Sequence, residues 1–136
     1  MQAEFDLDPR LQADTLWVGE LPLSRVLLMN DRRYRWVILV PRRDGITEWM
    51  DLDEADGVLL WQESMRLSRV LRDLFGGKKL NIGALGNLVP QLHLHHVVRQ
   101  ESDPAWPGPV WGHSAAEPYD KEEAARVLQE LRSALL

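Results

Sequence analysis

Three of the four histidines in this chain, His93, His95 and His96, fall within four positions, in the stretch Gln91-Leu92-His93-Leu94-His95-His96-Val97-Val98. Interleaved apolar residues predict an extended strand over Gln91 to Val98. Side chains two apart on a strand share a face, so Gln91, His93 and His95 are expected on one face and His96 on the other. Same-face neighbours stand roughly 6.5–7 Å apart. Two imidazoles at that spacing can flank one phosphorus centre, one attacking it and one serving the leaving oxygen. Imidazole titrates near ~6.5, so around neutral pH it acts as nucleophile or as cationic donor. Other readings stay open. His-x-His on a strand is also a bidentate metal pattern, which needs a third ligand such as His113 or a carboxylate. The pair can equally be hydrogen-bonded histidines without chemistry. His96 is expected to be structural, and His113 a loop residue. The chain has no cysteine, which excludes a thiolate nucleophile, a disulfide and thiolate metal sites.

The elements that must position this strand follow from pattern and punctuation. Phe5 to Asp14 reads as a short helical turn or a loop. Thr15–Glu20 and Ser24–Asn30 read as strands separated by the Leu21-Pro22-Leu23 turn. After the polar turn Asn30–Arg33, the apolar run Tyr34–Val40 predicts a buried central strand stopped by Pro41. Asp53 is the expected cap of one long helix reaching Phe75, with Glu54 and Asp56 in its first turn. Leu60, Leu67, Leu71 and Leu74 share a face of it, while Glu63, Arg66, Arg69 and Asp73 are expected outward. Gly76-Gly77 ends the helix. A strand at Lys79–Ile82, a glycine-bearing loop at Gly83–Pro90, an irregular proline-rich stretch at Asp103–Trp111 and a helix at Lys121–Leu135 complete the chain. The order β-β-β-α-β-β-α implies an α+β domain with an antiparallel sheet and a helix on one face.

With 136 residues the chain is expected to form a single domain, 1–136. Its net charge of −5 argues against a general nucleic-acid binder. The Arg42-Arg43 and Lys78-Lys79 pairs are expected to be solvated turns. Met1–Asp6 lacks the features of a secretory leader, and no apolar run approaches the ~20 residues of a membrane span. The expectation is a cytoplasmic protein without nucleic-acid or membrane partners.

The segment from Asn81-Ile82-Gly83 through Gly86-Asn87 to Gln91-Leu92-His93-Leu94-His95-His96-Val97-Val98-Arg99 resembles the signature region of the histidine triad (HIT) superfamily. That signature is three histidines alternating with apolar residues, after an Asn/Gln-x-Gly segment and a glycine-containing loop. Leu27-Leu28-Met29-Asn30 and Trp36–Arg42 are similar to two of the family's strands, so the resemblance covers Ser24 to Arg99. It implies a five-stranded antiparallel sheet with one long helix packed on it and a C-terminal helix.

The resemblance implies that His93 is the nucleophile that becomes covalently nucleotidylated and that His95 sits beside the phosphate and leaving group. Gln91 takes the place of the first histidine and can hydrogen-bond but not titrate. A related branch, the hexose-phosphate uridylyltransferases, tolerates glutamine at one triad position. Asn81 is implied near the phosphate, Asn30 at the ribose, and Gly86 and Asn87 in the phosphate loop. Arg99, just past the strand, is a candidate contact for a polyphosphate. Trp36 stands where many members carry a further histidine. The implied function is hydrolysis or nucleotidyl transfer at the α-phosphate of a nucleoside polyphosphate or phosphoramidate, without metal or cofactor. A nucleotide-binding regulatory protein with a degenerate triad is the alternative. A homodimer is expected, and the six tryptophans suit its interface or the core.

Overall fold

The computed structural model describes residues 5–136, so the leader reading of Met1–Asp6 falls mostly outside the described residues. Pro9–Asp14 forms a short helix, α1, started by Asp8, whose carboxylate accepts from Arg10 N. The strands β1 (Thr15–Glu20), β2 (Ser24–Met29) and β3 (Arg35–Pro41) follow. A single 3-10 turn at Trp49–Asp51 leads to α2, Glu54–Phe75. Then come β4 (Lys79–Gly83), β5 (Leu94–Arg99) and α3, Lys121–Leu135. Asp53 caps α2 by accepting from Asp56 N, and Gly76 ends it at φ 67°, a conformation that glycine adopts without a Cβ penalty.

The five strands form one sheet in the order β1-β2-β3-β5-β4, with every neighbouring pair antiparallel. On one face, Val26, Leu28, Val37, Leu39, Leu94 and Val98 meet Leu60, Leu67 and Leu71 of α2 and Val127, Leu131 and Leu135 of α3. The opposite face carries Leu27, Trp36, Ile38, Val40 and Val97. It is covered by Leu11 of α1 and by Ala105 and Val110 of the irregular segment. Both faces are therefore buried, which explains why β3 is an almost continuous apolar run.

Four local expectations change. Pro41 does not stop the strand before itself but closes it, opposite Ser24, where its missing N–H costs no ladder bond. Glu63 does not look outward; it is buried, and its carboxylate accepts from Leu23 N at 2.8 Å. Leu74 is exposed, so the buried stripe of α2 is Leu60, Ser64, Leu67 and Leu71. The strand expected from Gln91 enters the ladder only at Leu94. The preceding residues approach it as irregular chain, tied by Leu92 N to the Ile46 carbonyl at 3.0 Å.

Candidate active site

The β3–β5 register sets Ile38 opposite His95 and Trp36 opposite Val97, which puts Trp36 diagonally beside His95 on the face away from α2 and α3. The Trp36 indole Nε1–H donates to His95 Nδ1 at 3.0 Å. Indole nitrogen is a donor only, so Nδ1 of His95 must be the accepting nitrogen. The proton then resides on Nε2, which donates to the Leu85 carbonyl at 2.9 Å. Partners of fixed polarity on both sides make His95 a neutral imidazole. Burial, and next the neighbouring His93, hold its pKa down to about 4.

His93 has the opposite tautomer. Its Nδ1–H donates to the carbonyl of Gln91 at 2.7 Å, which leaves the lone pair on Nε2. The two rings lie edge to face with centroids 4.7 Å apart. Trp111 closes on His95 from the irregular segment, edge to face at 5.5 Å. The Gly83–Pro90 loop lies directly against His93. A Cβ on Gly86 would sit 2.7 Å from the Val89 carbonyl oxygen and 3.1 Å from His93 Cε1, so only glycine lets the loop come this near. Between these walls is a cleft of about 610 Å3, lined among others by Asn30, Asp31, Gly86, Asn87, His93 and Trp111. That volume suits a small-molecule ligand.

Of the residues singled out from the sequence, His93, His95, Asn30, Gly86 and Asn87 come together in this cleft. Asn30 Oδ1 accepts from Tyr119 N at 3.0 Å, and its amide N–H2 remains as a donor. Gln91, Asn81 and Arg99 do not line it. The Gln91 amide is spent on the N-terminal segment, accepting from Asp8 N at 2.9 Å and donating to the Asp6 carbonyl at 2.8 Å. What Gln91 gives the site is its main-chain carbonyl. Arg99 is 2% exposed, paired with Asp103 at 2.9 Å and donating to Asn81 Oδ1 at 2.8 Å. Its guanidinium lies over the Trp106 ring and is closed off from any ligand.

His96 lies on the far face, between Ser64 Oγ at 2.8 Å and the Leu94 carbonyl at 3.1 Å. His113 is exposed beside Ser114. Among the described residues no group of three His, Asp or Glu side chains is placed to hold a metal. Sequence reasoning missed the donor role of Trp36 and the Asp31–Arg33 ion pair on the cleft wall, 2.9 Å apart. The unexpected tryptophan was the available signal for the first. The polar turn Asn30–Arg33, which sets the two charges two residues apart, was the signal for the second.

The HIT domain family model matches residues 10–102. Three solved structures are similar over almost the whole chain. A histidine triad protein from Marinobacter aquaeolei VT8 has 52% identity and a TM-score of 0.95, covering 98% of this chain and 97% of its own. One from Bradyrhizobium japonicum has 45% identity and a TM-score of 0.95, covering 97% and 98%. A third, from Sinorhizobium meliloti 1021, has 45% identity and a TM-score of 0.94, covering 96% and 97%. A hypothetical histidine triad nucleotide-binding protein from Sulfolobus tokodaii strain7 shares the fold at 16% identity, with a TM-score of 0.68. No curated protein matches at a comparable level. With the domain matched over more than half its length and relatives this similar from end to end, the chain belongs to the histidine triad family.

Proposed function

We propose that the cleft is a nucleotide site in which His93 carries out two-step nucleotidyl transfer. The observation that carries this reading is the 2.7 Å bond from His93 Nδ1–H to the Gln91 carbonyl, which presents Nε2 as the lone-pair nitrogen. In the first step that lone pair forms an N–P bond at the α-phosphorus, and the leaving group departs with the electrons of the bond it loses. The Gln91 carbonyl then faces the N–H of the cationic phospho-imidazole. In the second step water adds to phosphorus and releases one proton to solvent, the N–P bond breaks back to Nε2, and the nucleoside monophosphate leaves with the hydroxyl.

His95 enters as a neutral donor to a phosphoryl oxygen rather than as an acid, because burial disfavours its charged form. Main-chain N–H groups around Gly86 and Asn87, and the Asn30 amide, are the remaining contacts for phosphate and ribose. No cofactor enters the scheme. A phosphate leaving group departs as a stable anion, whereas an amine needs a proton, so the substrate panel must contain both anhydrides and phosphoramidates.

Intact-mass measurement after rapid quenching is expected to show one nucleotidyl group per chain. The His93→Ala variant is expected to show none and to lose turnover by at least ~10^3-fold. Saturable binding across the panel with no adduct and no turnover would instead establish a nucleotide-binding protein without catalysis.

We also infer a homodimer. β4 is an edge strand with exposed Ile82, and the outer face of α2 exposes Val58 and Trp61. A second copy continuing the sheet would cover both. Light scattering is expected to give twice the 15.7 kDa chain mass, and a charge at Ile82 to return the monomer.

A further inference from the structure

The site contains two histidines in opposite tautomers, and only one of them obtains its tautomer from the main chain alone. His93 is set by the Gln91 carbonyl. His95 is set from two sides, by the Trp36 indole at Nδ1 and by the Leu85 carbonyl at Nε2. These two partners differ in permanence. Trp36 is anchored in β3 at the centre of the sheet, 8% exposed, with Tyr34 and Trp111 edge-on to its ring at 6.2 and 6.4 Å. Leu85 is half exposed on a loop, and its carbonyl is a neutral acceptor. An anionic phosphoryl oxygen makes the stronger, charge-assisted bond to the same N–H. Once a phosphate takes over Nε2–H, the indole is the hydrogen-bond partner that stays on the imidazole among the described residues.

We infer that Trp36 is a positioning residue: its N–H keeps His95 in the Nε2–H form and aims that donor at the place a phosphoryl oxygen occupies after displacing the Leu85 carbonyl. The inference rests on the phosphoryl-transfer reading of the cleft only for the identity of that oxygen. Among the described residues, the groups facing His95 come from four directions. From its own strand approach there is His93, with the ring 4.7 Å away; from β3, Trp36; from the irregular segment, Trp111 at 5.5 Å; from the loop, the Leu85 carbonyl. The charged side chains lining the cleft, Asp14, Asp31 and Arg33, make no hydrogen bond to the ring. A protonated His95 would set an N–H against the indole N–H, so the arrangement resists protonation by geometry as well as by burial.

The test is the nitrogen-15 spectrum of the histidine side chains in the whole protein at neutral pH. Wild type is expected to show His95 with a protonated Nε2 and a hydrogen-bonded, unprotonated Nδ1. Two variants remove the donor while keeping the aromatic volume, Trp36→Phe and replacement of Trp36 by benzothienylalanine, in which sulfur stands for the N–H. In both, the signature of a bonded Nδ1 on His95 is expected to be lost, while Nε2, still facing the Leu85 carbonyl, stays protonated. His96, held on the opposite face by Ser64 and Leu94, must keep its pattern and so reports that the fold is intact. If Trp36→Phe disturbs His96, the benzothienylalanine variant decides.

Nucleotidylation of His93 is expected to slow by about tenfold, less than for outright loss of an oxyanion donor. An unchanged His95 spectrum in the isosteric variant, or a protonated Nδ1 in wild type, would overturn the inference. The two proposals fail separately. Absence of an adduct on wild type with the loss of the Nδ1 bond still seen in the variants refutes only the catalytic reading. An adduct formed at wild-type rate with an unmoved His95 refutes only the role of Trp36.

Discussion

At the scale of single residues, the site depends on very short distances between groups of fixed hydrogen-bond polarity. A carbonyl facing Nδ1 leaves the lone pair of His93 on Nε2, and an indole facing Nδ1 puts the N–H of its neighbour on Nε2. Gly86 is the position at which this arrangement tolerates least. A methyl group there must push away either the Val89 carbonyl, 2.7 Å distant, or the His93 ring, 3.1 Å distant. Gly86→Ala is therefore expected to cost ~1–3 kcal/mol in local strain, as overpacking does elsewhere. The expected outcome is a nucleotidylation rate at least ~10-fold lower with a melting temperature roughly 3–12 °C below wild type. A variant that labels His93 as fast as wild type would show that the loop does not need this approach.

At the scale of elements, the segment after β5 bears directly on the site because it brings Trp111 onto His95. Its anchor is the buried Arg99–Asp103 pair. Asp103 accepts from Arg99 through Nε and Nη2 at 2.9 and 3.0 Å, and from the main-chain N–H groups of Gln100, Ala105 and Trp106. Burial by itself would raise its carboxyl, but the Arg99 guanidinium and these N–H groups hold it below the usual carboxylate value. Asp103→Asn keeps one accepting oxygen and leaves the guanidinium buried without its counter-charge, a change expected to destabilise by ~3–5 kcal/mol. Urea unfolding measures it, and a loss under ~1 kcal/mol would mean that the pair is dispensable. Arg99 and Asn81 thus support the site through the chain that covers it, not through contact with a ligand.

At the scale of the whole molecule, the sheet carries a buried histidine on each face, both held neutral. Burial brings His95 and His96 down to about 4 from the usual 6.5. In the unfolded chain these groups take up protons below about 6.5, while the folded chain refuses them until about 4. The unfolded state is therefore the better proton binder in that window. Stability is full above pH 6.5 and falls as the pH drops toward 4, by up to about 3 kcal/mol per histidine. Asp103, lowered from its usual value, loses its contribution only at still lower pH, so the slope between pH 6.5 and 5 belongs to the histidines. Urea midpoints at pH 7.5 and 5 are expected to differ clearly, and equal midpoints would refute neutral burial of the pair. No helix among the described residues is long and apolar enough to cross a membrane.

The amino-acid sequence by itself determined the elements and, of the histidine strand expected from Gln91, the part from Leu94 onward. Lys121–Leu135 and the Asp53-capped helix through Phe75 are where capping and periodicity place them, because those signals act between residues a few positions apart. Period-2 alternation likewise separates His96 from His95. What the tertiary structure decided is the use made of each polar atom. Gln91 turns its amide to Asp8 and lends only its carbonyl. Arg99 closes on Asp103, Glu63 turns inward to Leu23 N, and Trp36 meets His95 across the β3–β5 register. Each of these depends on which polar groups, of main chain or side chain, the finished fold brings within reach. That cannot be read from spacing along the chain, because burial makes every such group find a bond and long-range pairing decides with whom.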